Sequence, residues 1–478
     1  MSIVVSPLLN NHLDHQLPDA SGYFETLSEF MSWFCSKADA MRFEVEEIPL
    51  SKISGWTLDP TDKGLYHQSG KFFSIQGINV DISQPYQEQW QQPIIVQPEI
   101  GILGIICKIN DGVPYFLMQL KMEPGNINKA QLSPTVQATK SNYTRVHRGK
   151  LPLYLDYFLD RKGVVIADQL QSEQGSRFLH KRNRNMILLV EDDLPCEENY
   201  CWLSLYQIKA LYCHDNLVNM DARSVLAMID TGAIDGSHII EDETDEKSNF
   251  SHQLALSRKV KDKGINRFDD VISWLTSLKS NYSQNISHVA LSELKKWVVD
   301  DEAITHSDGH YFSVIGVHST LEGREISEWS QPLLKHEAEG LVGLICQEKA
   351  GVLHFLIHAR IEPGYIDGIE MGPTVSCGDP SRYSEENSKP LFLSYFHGAD
   401  ASSTRCDYEL SEEGGRFYHF RNRYRVIEID ASEQLEIPVD YCWLTYGQLL
   451  SLVRHSLYLN IELRSIISAL PIESTEHQ

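Results

Sequence analysis

One series of motifs occurs twice, in the same order, and this repetition limits the possible folds more than any other feature. Glu123-Pro-Gly recurs as Glu362-Pro-Gly, a separation of 239 residues, and Trp90-Gln-Gln-Pro recurs as Trp329-Ser-Gln-Pro at the same separation. Ser172-Glu-Gln-Gly-Ser-Arg-Phe178 returns as Ser411-Glu-Glu-Gly-Gly-Arg-Phe417, and Arg182-Asn-Arg184 as Arg421-Asn-Arg423. Tyr200-Cys-Trp-Leu returns as Tyr441-Cys-Trp-Leu, and Trp33 is matched by Trp274. Ordered matches at nearly constant spacing indicate a duplication, and a unit of about 200 residues is a domain, not a solenoid turn. The chain is expected to be two like domains related by a pseudo-twofold. Its 478 residues are also too many for one ordinary core. The expected boundaries are an arm at 1–20, a first repeat at 21–235, an acidic linker at 236–266 around Glu241–Lys247, and a second repeat at 267–478.

Local patterns within the repeats mix helix and strand, which gives an α+β class. In Glu25–Lys37, Leu27, Phe30, Met31 and Phe34 fall at helical spacing. Leu65–Val80 alternates around a turn at Gly70 and reads as strands. Gly101–Ile109 and Val113–Met122 flank Asn110-Asp111-Gly112, a hairpin signal, because glycine accepts positive φ. On the second of these strands Phe116, Met118, Leu120 and Met122 share one face. Tyr115, Leu117, Gln119, Lys121 and Glu123 share the other, which turns polar toward its end. Met186–Val190 reads as a further strand. Ser204 with Gln207, and Thr445 with Gln448, fit capping boxes that open helices.

Composition excludes some partners. With 42 Lys+Arg against 66 Asp+Glu, the formal charge of -24 repels a phosphate backbone, so nucleic acid is not the expected partner. A few local arginines can still hold a small anion. The nine cysteines form no C-x-x-C pair and sit mainly in apolar runs, which reads as free thiols in a reducing cytoplasm. Zinc-ligand spacing is missing. The N-terminus does not read as a signal peptide, and no apolar run reaches the roughly 20 residues of a membrane span. No G-x-G-x-x-G after a strand, Walker A or H-E-x-x-H motif appears.

The polar stretch from Glu123 to Arg145 is where chemistry is expected. Ser133, Thr135, Gln137, Thr139, Ser141, Asn142, Tyr143 and Arg145 crowd it with donors and acceptors, each of which costs roughly 1–3 kcal/mol if buried without a partner. It is a solvated loop or the wall of a polar pocket, and it begins at the mouth of a sheet. The second copy keeps Thr374, Arg382 and Tyr383 but changes most of the rest; Lys121 becomes Arg360 and Gln119 becomes His358. The first repeat is therefore the expected working half.

EPGNINKAQLSPTVQATKSNYTRVH, SEQGSRFLHKRNRN and the whole-chain duplication together resemble the NDP-hexose 2,3-dehydratase family. The resemblance implies two Nudix-like repeats, a homodimer, and dTDP-4-keto-6-deoxyglucose as a small-molecule substrate that loses its 2-hydroxyl. It also implies no nicotinamide and no obligatory metal. The Nudix hydrolase signature is missing from both halves. In such a reaction the C4 ketone acidifies the C3 proton; a base removes it, an acid assists the leaving hydroxyl, and donors hold the enolate oxygen.

Glu123 is the first candidate for base or acid, with a structural role at the Pro-Gly corner as the alternative, and Lys121 lies beside it on the same face. Tyr143 is an acid, a stacking partner or plain packing. Ser133, Thr135, Gln137, Thr139, Ser141 and Asn142 are candidate contacts as a group, with Asn183. Arg145, Arg177, Arg182 and Lys181 are candidates for the diphosphate, because guanidinium forks match phosphate oxygens. Thr374, Arg382, Tyr383, Arg416 and Arg421 are the corresponding second-repeat set. Trp56 and Trp90 read as core or interface aromatics. His147 and His180 are proton carriers or structural. A non-catalytic nucleotide-sugar binder and a Nudix-type pyrophosphohydrolase stand as alternatives.

Overall fold

The computed structural model describes residues 22–58, 64–84, 87–140, 151–229, 246–262, 264–309, 311–321, 328–383 and 390–471. The expected arm at 1–20 and the segment 141–150, with Ser141, Asn142, Tyr143, Arg145 and His147, lie outside them.

Each half contains a seven-stranded and a six-stranded mixed sheet. In the first half the larger sheet runs Val164–Ser172, Arg182–Leu189, Gly101–Asn110, Val113–Met122, Tyr200–Ser204, with Ala130–Ser133 and Val136–Ala138 added to the central hairpin. The hairpin forms where Asp111 and Gly112 both take positive φ, 49° and 81°. Phe116, Met118, Leu120 and Met122 enter the main core, and Tyr115 and Leu117 a second one. Gln119, Lys121 and Glu123, farther along that second face, meet a cleft instead. The helix Leu27–Ala40 buries Phe30, Met31 and Phe34, and Thr26 and Glu29 cap its start reciprocally. Ser204–Gln207 and Thr445–Gln448 do the same for Leu205–Leu211 and Tyr446–Leu452.

The smaller sheets show how the halves are joined. Phe43–Ile48 pairs antiparallel not with its own repeat but with Ser313–Leu321, from Phe43↔Leu321 to Ile48↔Gly316. Reciprocally, Ser283–Val289 pairs with Ser74–Gln84 in the first half, ending at Val289↔Gly77. Gly77 and Gly316 face these visiting strands; a Cβ on either would stand 2.5 Å from the carbonyl oxygen of Val289 or Ile48. The main core is continuous across both halves, with Phe116 and Met118 in the same cluster as Phe355 and Ile357.

The expected linker at 236–266 is shorter than the charge run implies. From Glu246 to Lys259 the chain is helical, and Phe250 and Leu254 are buried against the second half, where Ser257 Oγ donates to Leu353 O at 2.6 Å. Those apolar residues sit at helical spacing inside a polar segment, and packing decides their state. The run Glu241–Asp245 lies outside the described residues.

Candidate active site

A cleft of about 1400 Å³ opens against the polar end of the first-half hairpin. Lys121, Glu123, Gln137, Thr139, Lys181 and Asn183 line it, as the sequence leads one to expect, and so do Asp221 and Glu173. The cleft is not built by one half alone. His318, Trp329, Gln331, Glu413, Gly415 and Arg416 come from the second repeat.

Two mechanisms bring them there. The exchanged strand Phe43–Ile48 holds the second half's sheet against the first, and Phe43 stacks on Trp329 with centroids 6.0 Å apart. The loops that follow Ser172 and Ser411 also cross over. Gly125 N–H donates to Gly414 O at 2.8 Å, and His419 N–H to Gly125 O at 2.9 Å. In the mirror contact Gly364 N–H donates to Gly175 O at 2.7 Å, and His180 N–H to Gly364 O at 2.9 Å. This explains the Glu-Pro-Gly corners. A Cβ at Gly125 would lie 1.5 Å from Phe417 O, and one at Gly364 would lie 1.7 Å from Phe178 O.

The crossing corrects the arginine assignments. Arg416, expected in a second-repeat site, lines the first-half cleft; its guanidinium lies 4.1 Å from the Phe73 ring centroid, and Nε donates to Gln97 Oε1 at 3.1 Å. Arg177, expected in the first site, leaves it and lies over Phe312 in the second half, at 4.4 Å. Arg182 and Arg421, on the strands behind, do not line the cleft; Arg421 pairs with Glu409 at 3.4 Å. Arg382 is exposed and lies over Tyr311, and Tyr383 packs against the second half's smaller core.

Three expected hydroxyl contacts are committed to backbone. Thr135 Oγ1 accepts from Ile106 N–H at 2.9 Å and donates to Leu117 O. Thr374 repeats this with Ile345 N–H at 2.9 Å and Leu356 O at 2.6 Å. Ser133 Oγ is fully buried against the carbonyls of Gln119 and Pro134. These residues pin the short added strands to the hairpin. Trp56 is a cleft aromatic, with its indole N–H on Ser330 O at 3.0 Å, whereas Trp90 bonds Gln92 within its own sheet. Among cleft-lining residues, Glu173, Asp221 and the second-half contributions other than Arg416 were not named as candidates by sequence reasoning.

The electrostatic centre is organised around Gln137. Its side-chain amide donates to Glu123 Oε1 at 3.3 Å and to Glu413 Oε1 at 3.4 Å, and its carbonyl accepts from Asn219 at 3.4 Å. Lys121 Nζ pairs with Glu123 Oε1 at 2.7 Å. Asn219 also caps the helix Met220–Leu226, whose second residue is the buried Asp221. Burial and the nearby charges of Glu173, Glu413 and Glu123 push the Asp221 carboxyl well above its ordinary range. Removal from water, then Glu123, pushes Glu413 up to about 7, against the pull of Arg416 and Lys121. Burial lowers Lys181 to about 8 despite Glu173 beside it. Carboxyls raised above their ordinary range lie beside the Lys121–Glu123 pair, an arrangement suited to acid–base chemistry on a bound ligand. Among the described residues no three His, Cys, Asp or Glu are arranged to hold a metal ion.

In the second half the corresponding positions carry larger side chains. Arg360 replaces Lys121 and pairs with Glu362 at 2.9 Å, Phe420 replaces Lys181, and the buried Tyr365 stands where the first half has Asn126.

A model of the NDP-hexose 2,3-dehydratase family matches residues 27–229 and again 268–470. The chain belongs to that family. A dTDP-4-dehydro-6-deoxy-alpha-D-glucopyranose 2,3-dehydratase of Saccharopolyspora spinosa is 41% identical over 472 residues, covering 97% of this chain and 96% of that protein. Proteins of the same name from Streptomyces violaceoruber and Amycolatopsis orientalis are each 39% identical, over 92% of this chain and 96% and 89% of theirs. The two matched spans make the tandem duplication a property of the family's own unit. Solved structures of an Ap4A hydrolase from C. elegans and a Nudix hydrolase from M. Smegmatis align over 25% and 27% of this chain and 87% and 81% of theirs. Their identities are 13% and 17%, both at a TM-score of 0.18, and neither bears on the argument.

Proposed function

We propose that the first-half cleft binds dTDP-4-keto-6-deoxyglucose and eliminates its C2 hydroxyl as water, giving a 3,4-diketo-2,6-dideoxy sugar nucleotide. The observation that carries this reading is the Lys121–Glu123–Gln137 group, which sets an ion pair beside the buried carboxyls of Glu413 and Asp221, both raised above their ordinary range, in a cavity large enough for a nucleotide sugar. The keto group serves as the electron sink, so the work left to the protein is proton transfer and charge stabilisation.

In this reading Lys121, held in place by Glu123, donates to the C4 oxygen as enolate character develops. Asp221, whose carboxyl burial and neighbouring carboxylates hold well above its ordinary range, gives its proton to the departing C2 oxygen. Arg416 takes the diphosphate as a guanidinium fork, and Trp56 and Trp329 offer flat apolar surface to the base. Glu123, offered by the sequence as base or acid, is tied to Lys121 and Gln137 and serves to hold them. A Nudix-like ancestry for each half, a homodimer and a cytoplasmic location belong to the same proposal; the first two rest on the membership of the dehydratase family and the third on the nine free cysteines.

Incubation with dTDP-4-keto-6-deoxyglucose, with and without EDTA, tests the reading by mass spectrometry. Loss of one water, unaffected by EDTA, is expected. Release of dTMP dependent on Mg²⁺, or a substrate that only raises the melting temperature, overturns it.

A further inference from the structure

The crossing loops make each half donate side chains to the neighbourhood of the other's Glu-Pro-Gly corner. The two loops differ at one position that matters for proton transfer: Ser411-Glu-Glu413 against Ser172-Glu-Gln174. Gln174 is buried and donates to the Glu412 carboxylate and, at 3.2 Å, to Met220 Sδ. Glu413 faces the open cleft, accepting from Gly415 N–H at 3.2 Å and from Gln137. An amide cannot take a proton near neutral pH and a carboxylate can. The half with the described cleft therefore receives the reactive group, and the half with larger side chains at the corresponding positions receives the inert group.

Glu413 is also better disposed to act as a base than Glu123 or Glu173. Glu123 is paired with Lys121, and Glu173 accepts from Asn183 at 2.6 Å while standing next to Lys181. Among the described residues, the hydrogen bonds to the Glu413 carboxylate come from the neutral donors Gln137 and Gly415 N–H, with Glu123, Glu173, Lys121, Arg416 and Asp221 as the charged or titratable groups around it.

We propose, resting on the dehydratase reading above, that Glu413 is the catalytic base that takes the C3 proton, so that the second repeat completes the active site of the first. The C3–H bond breaks and its proton passes to the Glu413 carboxylate. The electron pair forms the C3–C4 enolate, whose charge rests on the C4 oxygen near Lys121. As the C4 ketone re-forms, a C2–C3 double bond forms and the C2–O bond breaks, and the oxygen leaves as water with the proton from Asp221. The C3 enol that remains relaxes to the diketone by moving its hydroxyl proton to C2. Glu413 and Asp221 then exchange the proton gained for the proton lost, so atoms and charge balance.

The experiment compares the full-length wild type with E413Q, which reproduces the Gln174 side chain, and with E413D. All three are incubated with dTDP-4-keto-6-deoxyglucose in deuterium oxide. Product and deuterium at C3 of the recovered substrate are read by NMR. E413Q is expected to lose about 100-fold or more in kcat, the size of a general-base contribution, with KM within about threefold and no deuterium at C3. E413D is expected to be intermediate. Product formed by E413Q within about threefold of wild type overturns the proposal. So does C3 deuterium accumulating without product, since another group then removes the proton. If E413Q lacks a cooperative melting transition, E413D decides, and a wild-type kcat there overturns the assignment. A wild type that forms no product sinks the dehydratase reading instead.

Discussion

At the scale of single residues, the sequence located the polar wall of the cleft but not every side chain that lines it. Lys121, Glu123 and Gln137 were legible because strand alternation puts them on one face where that face turns polar. Thr135 was misleading. A threonine in a polar run looks the same whether its hydroxyl meets a ligand or, as here, a buried amide and carbonyl. Arg416 was a phosphate candidate placed with the second half, whereas it lines the first-half cleft, since no local pattern reports that a loop crosses to another domain. Its position yields a prediction. Arg416 holds Glu413 lower than it would otherwise stand, yet Glu413 still reaches about 7. A carboxylate base works when deprotonated, so the activity of the wild type should fall as pH drops through about 7. R416Q removes the nearby positive charge, the Glu413 pKa rises, and the acid limb of kcat should move to higher pH. KM for the nucleotide sugar should rise about tenfold or more with loss of a charge-assisted contact. A pH–rate series on both proteins checks this; an acid limb that stays in place in R416Q contradicts the electrostatic link.

At the scale of elements, the corner after each hairpin fixes how the opposite half's loop meets it. The sequence marked Glu-Pro-Gly as a turn, and it is one. What it does not reveal is that the glycine is required by the opposite half's backbone and not by its own φ. Gly364 lacks a positive φ, yet its missing Cβ is the space that Phe178 O occupies. G364A should therefore cost more than about 3 kcal/mol of stability or prevent folding, because backbone on both sides must separate to admit one methyl. Urea unfolding of G364A beside G351A is the control. Gly351 takes φ of 77° in an open hairpin turn where an added Cβ meets nothing within 4 Å, so its cost is confined to local strain of order 1 kcal/mol. Equal losses at the two positions would mean that the crossing loops are not held as tightly as their hydrogen bonds imply. The helix Glu246–Lys259 makes the converse point about legibility: three buried apolar side chains in a charged neighbourhood were too few to stand out as a pattern, and tertiary packing decided the outcome.

At the scale of the whole molecule, duplication was readable from spacing, but interlocking was not. Two repeats joined by a linker imply two independent domains. Here each half completes the other's smaller sheet with an exchanged strand, shares a continuous core with it, and sends a loop to its hairpin corner. Strand partners at such sequence separation leave no local trace, since Phe43–Ile48 reads as an ordinary strand whichever sheet it joins. The arrangement predicts that the halves cannot be separated without loss of both fold and cleft. Residues 1–235 expressed alone would expose the Ser74–Gln84 edge that Ser283–Val289 covers, and would lack Arg416, Glu413 and Trp329. Each half produced separately should aggregate or show no cooperative melting transition. Co-expression of 1–235 with 236–478 as two chains should restore a single transition and dehydratase turnover within about tenfold of the intact protein. Tethering lowers the cost of association but adds no contact to the cleft. Calorimetry and a turnover assay on the co-expressed pair decide the matter: a first half that melts cooperatively and turns over substrate on its own would mean that neither the exchanged strands nor the second half's contribution to the cleft is required.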